Sequence, residues 1–447
     1  MVLRARVIAA CVIAAAGNAA AEELDAGQVR FQYGGTALLG AAGFAADSTA
    51  PGDAGWRRAR AQGLAYLMVR GSAETGLDDG STLGLFVRLR PYENPGERTD
   101  VPPDRDELVK DAYLRWKGAA FGEFRLGIQA DIRQNEALGA PQICGCLDGF
   151  FGSSTPGIAP MHGPLPANTT GGDLDQRAAK LAWYSPALDG FRLGLDYGPF
   201  RSDGRPLDGR LALLDTNYAT PGGVAGAGGL RDAQVRNAWS AAGWWNGTRG
   251  ETAIGVEAGA SGGTRGGPVV QGLNDRDPLV WGGGFSVGYA AWKFGAAFEQ
   301  QDAVDLEGIY GAAAYRLAPG SLDLFQLPAT NDIVTRTVDL GFTYSIGPVT
   351  AGLAWSRGIY EGLVDPADAK HTADNDVVFG GVQYQVTRWA DILGGMQWNH
   401  YDPGGTPRPL PAAAGLSRVY GGADPTLNPF ARGYDGVALV LGVALRL

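Results

Sequence analysis

Apolar and polar residues alternate with period two from about residue 30 to the end of the chain. Leu83, Leu85, Val87 and Leu89 alternate with Gly84, Phe86, Arg88 and Arg90. Phe124, Leu126 and Ile128 alternate with Arg125, Gly127 and Gln129. Phe191, Leu193, Leu195 and Tyr197 alternate with Arg192, Gly194, Asp196 and Gly198, and the series closes on Val437, Leu439, Leu441, Val443, Leu445 and Leu447. This pattern predicts strands with one apolar face and one polar or small face. Beyond residue 21 no apolar run approaches the roughly 18 residues that a spanning helix needs.

Connection lengths organise the strands. Short turns fall at 75–80, 118–122, 185–189, 247–250, 347–348 and 386–388. Long stretches rich in Gly, Pro and Asp fall at 41–56, 91–106, 132–175, 201–231, 262–277, 303–331, 361–373 and 402–432. Long loops alternating with short turns predict an all-β fold: a 16-stranded antiparallel transmembrane β-barrel with both chain ends on the short-turn side. A soluble sandwich also alternates, but it buries each apolar face against a second sheet. Here the opposite face carries Arg, Asp and Gly, which suits a wet lumen. Trp56, Tyr92, Trp116, Phe121, Trp183, Tyr184, Trp245, Trp281, Tyr289, Trp389 and Trp398 sit near strand ends, where interfacial girdles form.

Composition sharpens the picture at the N-terminus. Arg4 and Arg6 precede an apolar stretch from Val7 to Ala16 and the small residues Ala19–Ala21. Residues 1–21 thus read as a cleaved signal peptide, leaving 22–447 as one barrel domain. The Ile8–Cys11 segment resembles a lipoprotein cleavage box, but only Val7 separates it from Arg6. Losing Arg4 and Arg6 moves the net charge from −10 to −12. That acidity argues against nucleic acid as a partner. Charged residues make up 19% of the chain, below the roughly 25% of soluble domains. The only cysteines beyond the signal are Cys144 and Cys146, a scarcity compatible with export.

The stretch Asp111-Ala112-Tyr113-Leu114-Arg115-Trp116-Lys117, a short turn, and then Gly122-Glu123-Phe124-Arg125-Leu126-Gly127-Ile128-Gln129 resembles the fourth and fifth strands of Gram-negative general porins. Tyr184-Ser185-Pro186-Ala187-Leu188-Asp189-Gly190-Phe191 resembles their sixth-to-seventh turn. Leu447 stands where that family usually ends in an aromatic. The resemblance implies a homotrimer among outer-membrane lipids, passing small hydrophilic solutes and ions by passive diffusion. It also implies a third external loop, here 132–175, folded into each lumen as a constriction with acidic residues facing basic residues on the wall.

Strand phase nominates the wall residues independently. Ala59, Ala61, Gly63, Ala65, Leu67 and Val69 form an apolar face, so Arg58, Arg60, Gln62, Tyr66 and Arg70 point inward. Arg88 and Arg90 do so from the next strand, Arg115 and Lys117 from the fourth, Arg125 from the fifth and Lys180 from the sixth. An Arg facing lipid near the midplane costs about 2–4 kcal/mol, which favours this phase. A one-residue phase error would turn any such set outward. Arg60, Arg70, Arg88 and Lys180 are expected nearest the constriction, and Arg115, Lys117 and Arg125 in a vestibule by a short turn. Glu136, Asp148, Asp173 and Asp175 are the acidic candidates of the 132–175 loop, each otherwise a solvated loop charge. Carboxylates facing Arg across a narrow gap would create a transverse field that favours polar solutes.

Cys144-Gly145-Cys146 is open to three readings: a disulfide, a metal ligand pair, or free thiols. Only His162 shares their loop. The remaining histidines are His371 and His400, and none of the three stands in a nucleophile motif, so no enzyme and no cofactor are expected. Asp374-Asn375-Asp376 supplies too few oxygens to specify a calcium site. Within the fold, a substrate-selective channel is the alternative to a general one. Stacked lumen aromatics would favour sugars, and an unpaired Arg ladder would favour anions. A barrel serving as adhesin or anchor would not conduct.

Overall fold

The computed structural model describes residues 22–26, 29–48, 57–93, 109–133, 178–200, 235–265, 277, 279–302, 334–364, 370–402 and 434–446. They form β1 (Glu22–Ala26), β2 (Val29–Ser48), β3 (Arg57–Gly76), β4 (Thr82–Glu93), β5 (Val109–Gly118), β6 (Gly122–Gln129), β7 (Ala178–Tyr184), β8 (Phe191–Phe200) and β9 (Val235–Arg249). The series continues with β10 (Thr252–Arg265), β11 (Leu279–Tyr289), β12 (Trp292–Asp302), β13 (Val334–Ile346), β14 (Val349–Val364), β15 (Lys370–Thr387), β16 (Ala390–Asp402) and β17 (Tyr434–Arg446). No helix among the described residues is long and apolar enough to cross a membrane.

Each strand from β2 onward pairs antiparallel with the next, and β17 pairs with β2, from Tyr434↔Ser48 to Arg446↔Thr36. The sixteen strands β2–β17 therefore close on themselves. Closure satisfies every strand edge, which is what allows a sheet to sit in hydrocarbon. The short β1 lies along β2 just beyond the end of β17, from Glu22↔Tyr33 to Ala26↔Val29. Short connections at 77–81, 119–121, 185–190, 250–251, 290–291, 347–348 and 388–389 mark one rim. Both ends of the sixteen-stranded barrel lie there: Val29 of β2 pairs with Thr75 next to the first turn, and the Arg446 amide of β17 donates to the Trp389 carbonyl at the last.

The exterior is apolar. Leu85, Leu114, Leu126, Leu181, Leu195, Val256, Phe285, Phe342, Leu353, Val382, Met396 and Leu441 are exposed on it. Aromatics cluster by the short turns, with Trp116 against Phe121 at a 4.5 Å ring separation and Trp292 against Tyr344 at 4.3 Å. Indole N–H groups on this rim reach turn-side acceptors: Trp116 to Ser81 Oγ at 3.1 Å, Trp183 to the Phe121 carbonyl at 2.9 Å and Trp245 to the Asp189 carbonyl at 3.0 Å. An apolar ring with one wet polar corner fits a membrane interface.

Two sequence expectations need correction. Residues 41–48, expected in a loop, continue β2, and 262–265, 361–364 and 370–373 likewise belong to strands. The Ala-rich 41–48 stretch has mostly small residues on both faces, Phe44 excepted, so it shows no sustained alternation; its hydrogen bonds to β3 and β17 make it a strand. Tyr184, expected in the outer girdle, faces inward and is fully buried, because its neighbour Trp183 takes the outward phase. The pairing of β3 with β4 shifts between Leu67 and Val69, opposite Arg90-Pro91. Proline lacks the N–H that a ladder needs, so a bulge there is the expected accommodation.

Candidate functional site

The lumen wall is built from the polar phase of each strand. On β3–β7 the basic side chains stand among acids. Arg88 forms an ion pair with Asp111, directly opposite in register. Arg115 pairs with Glu74, and the Arg125 Nε donates to Glu123 Oε1 at 2.6 Å. Lys180, buried, pairs with Asp131. Arg70 faces Arg88 across the β3–β4 ladder and is exposed, as is Lys117 near the 119–121 turn.

Arg125 is also held by aromatic faces. Its guanidinium lies 4.2 Å from the Tyr184 ring centroid and 5.2 Å from that of Tyr113, and Nη1 donates to the Tyr184 hydroxyl at 3.2 Å. Arg192 lies over Tyr184 and Trp244, 5.5 Å from each. Cations over aromatic faces are fixed in position at little cost to their charge. These rings are largely buried, so they serve as wall packing for the guanidinium groups.

The most informative local structure follows β6. Residues 130–133 turn into the barrel and lie on its inner wall. The Ile132 amide donates to Asp196 Oδ2 at 2.7 Å and to Ser240 Oγ at 3.2 Å, and Ser240 Oγ donates to the same carboxylate oxygen. Ile132 is fully buried in a cluster with Ala182, Tyr184, Ala242 and Trp244. A Cβ at Gly194 would run into the Ile132 side chain, so glycine on β8 makes the seat. Arg133 then reaches β12, where Nη2 donates to Glu299 Oε2 at 2.6 Å.

That far wall is acidic. Asp196 on β8, Glu257 on β10, Glu299 on β12 and Asp339 on β13 are all buried on the inner face. Sequence reasoning put Asp196 on the polar face of its strand but named neither this set nor Arg133 as site candidates. The alternation in 292–299 does place Glu299 on the polar face, so a signal existed. No sequence pattern, however, joins Arg133 to a residue 166 positions away.

Arg58, Arg60 and Arg90 lie in β3 and β4, with side chains outside the described set. Glu136, Cys144, Cys146, Asp148, Asp173 and Asp175 lie outside the described residues, as do His162 and the segment 1–21. Asp374 and Asp376 sit together on one face of β15, both against Arg357, at 2.9 and 3.4 Å. That guanidinium offsets the charge which would draw a calcium ion. No cluster of three or more metal-ligating side chains occurs among the described residues.

A closed barrel with an apolar exterior, an ion-paired polar interior and a chain segment laid inside it defines a transmembrane β-barrel channel. Residues 8–325 match the family model described as Gram-negative porin, and the chain belongs to that family. It is a channel of the outer membrane for passive diffusion. No curated protein matches the sequence. Among solved structures it is similar to the outer membrane channel DcaP of Acinetobacter baumannii (TM-score 0.52, 12% identity, covering 96% of this chain and 100% of that one). It is also similar to the anion-selective porin from Comamonas acidovorans (TM-score 0.51, 15% identity, 94% and 100% covered). Salmonella typhi OmpF in complex with daunomycin is a third (TM-score 0.51, 12% identity, 95% and 100% covered). At these identities the likeness is one of fold.

Proposed function

We propose that the chain is a trimeric general diffusion porin with weak charge selectivity, its lumen narrowed by the connection between β6 and β7. The observation that carries this reading is the inward turn at 130–133, seated against β8, β9 and β12. A connection that begins inside the barrel reduces the open cross-section. The basic candidates on β3–β7 support weak rather than strong selectivity. Arg88, Arg115, Arg125 and Lys180 each have a carboxylate partner, so they present local dipoles more than an anion ladder. Arg70 and Arg88, opposite each other and mid-strand, are the wall residues proposed to shape the field; Lys117 belongs to the turn-side vestibule. Cleavage after residue 21 leaves Glu22 at the start of β1.

An anion-selective channel is the second reading, favoured by exposed Arg70, which adds positive charge beside Arg88. The Comamonas acidovorans porin, of the same fold, is itself anion-selective. Planar-bilayer recording of the mature protein in a salt gradient separates the two. A general porin gives conductance that rises with salt and a reversal potential near zero. A potential close to the chloride limit would favour the second reading, and absence of conductance would defeat both. Removing 136–175 should raise conductance and the size limit for solutes.

A further inference from the structure

We infer that Arg133 and Glu299 set the charge selectivity of the lumen as a matched pair. Arg133 would be a selectivity-determining residue delivered by the chain to the acidic wall. The inference rests on the reading of the β6–β7 connection as the constriction.

The geometry is specific. Arg133 Nη2 and Glu299 Oε2 are 2.6 Å apart, and the two side chains are 10% and 2% exposed. In register, Gly259 of β10 stands opposite Gly282 of β11, and Gly282 stands opposite Glu299 of β12. A Cβ at Gly259 would come within 3.1 Å of Arg133 Cγ. The missing side chains therefore clear a lane across β10 and β11 in which the arginine reaches its carboxylate. On the same inner face, Glu257, Gly284, Ala297 and Asp339 form one register row across β10–β13. The lane thus opens on the acidic half of the wall, while Arg70, Arg88, Arg115 and Arg125 stand on β3–β6.

A permeating ion within a Debye length, about 8 Å at physiological salt, responds to the net charge of a wall group. Together Arg133 and Glu299 are neutral. Without Arg133, this part of the wall loses one positive charge beside Glu257, Glu299 and Asp339. Without Glu299, the lumen gains a bare guanidinium. Removal of either partner should therefore act in opposite senses on selectivity. A clamp that merely held the chain in place would give both substitutions the same sense.

The test is the potassium-to-chloride permeability ratio of the full mature chain in planar bilayers. Arg133→Gln is expected to raise the ratio by about twofold or more, and Glu299→Gln to lower it. Arg133→Lys and the double Gln variant should stay near wild type. Same-sense shifts of the two single variants, or an unchanged ratio in Arg133→Gln, overturn the proposal. A post-assembly version avoids folding losses: Arg133→Cys in a Cys144→Ser, Cys146→Ser background is folded and then labelled. A cationic thiol reagent should restore the ratio and an anionic one raise it further; equal effects of the two reagents overturn the proposal. The constriction reading fails separately, if deletion of 136–175 leaves the solute size limit unchanged. A size limit that rises together with same-sense shifts keeps that reading and rejects the pair.

Discussion

Gly122, at the start of β6, adopts φ +84°, and a Cβ there would fall on the Tyr184 carbonyl oxygen. Only glycine combines that backbone region with so close an approach. Gly122→Ala is expected to cost about 1–3 kcal/mol, read as a lower urea midpoint for the refolded barrel. Its neighbour on the wall, Arg125, has both a carboxylate and an aromatic face to lose. Glu123 is buried, so Arg125→Ala leaves a carboxylate without its charge-assisted bond, a loss of about 1.5–3 kcal/mol. Arg125→Lys should recover only part of it in the same urea titration. An ammonium keeps the charge but not the planar stack on Tyr184. Recovery to the wild-type midpoint would show that the stack contributes nothing.

Phase and turn chemistry decide matters for whole elements. In β15, Val382 is exposed on the lipid side, opposite Ala351 and Gly394, whereas Gln383 faces the lumen beside the inward-facing Leu393 of β16. Val382 lies between outward-facing Tyr384 on one side and Val378, paired with Trp398, on the other, so it sits near mid-membrane. Val382→Arg should cost about 2–4 kcal/mol, and Gln383→Arg little; the comparison is the yield of folded barrel in detergent. Equal yields would mean that the two faces of β15 are misassigned. The 77–81 turn offers a pH test outside the membrane. Asp79 accepts hydrogen bonds from the Ser81 hydroxyl at 2.6 Å and the Ser81 amide at 2.9 Å, which hold its carboxyl below the ordinary 3.8. A depressed pKa contributes stability above the ordinary value, and that contribution is lost as pH falls through the lower folded value. Asp79→Asn should therefore lower the unfolding midpoint at pH 7 and make less difference at pH 3.

At the scale of the molecule, closure carries the stability. Sixteen strands bonded edge to edge exceed anything that one short crosslink adds, because a ring closed between cysteines so near in sequence restricts few unfolded conformers. Cys144→Ser with Cys146→Ser should assemble at wild-type yield and migrate, unboiled, as the proposed trimer. Loss of that trimer in the double variant would show that the connection is stapled by its cysteines. Native mass measurement in mild detergent checks the trimer itself, and a monomer there would leave the barrel but remove the assembly.

The strands and their phase were legible because the bilayer imposes a simple rule. Lipid on one side and water on the other write an alternation into Leu83–Arg90 or Phe191–Gly198 that needs no knowledge of neighbours. The short turns were legible too, from Gly347-Pro348 and similar pairs. Where the rule has little to act on, the sequence is silent: residues 41–48 are small apart from Phe44 and Asp47, and the ladders to β3 and β17 make them strand. Trp183 and Tyr184 look alike as girdle residues, yet one pleat separates lipid from lumen. The basic candidates could be named one strand at a time, but apart from Glu123, which shares β6 with Arg125, their acidic partners lie on other strands or past a turn, as Glu74 does for Arg115. The sequence by itself determined a barrel and its rims, since both follow from local periodicity. Which inward residues meet, above all Arg133 with Glu299, was decided only by closure, which brings together charges that chain order keeps far apart.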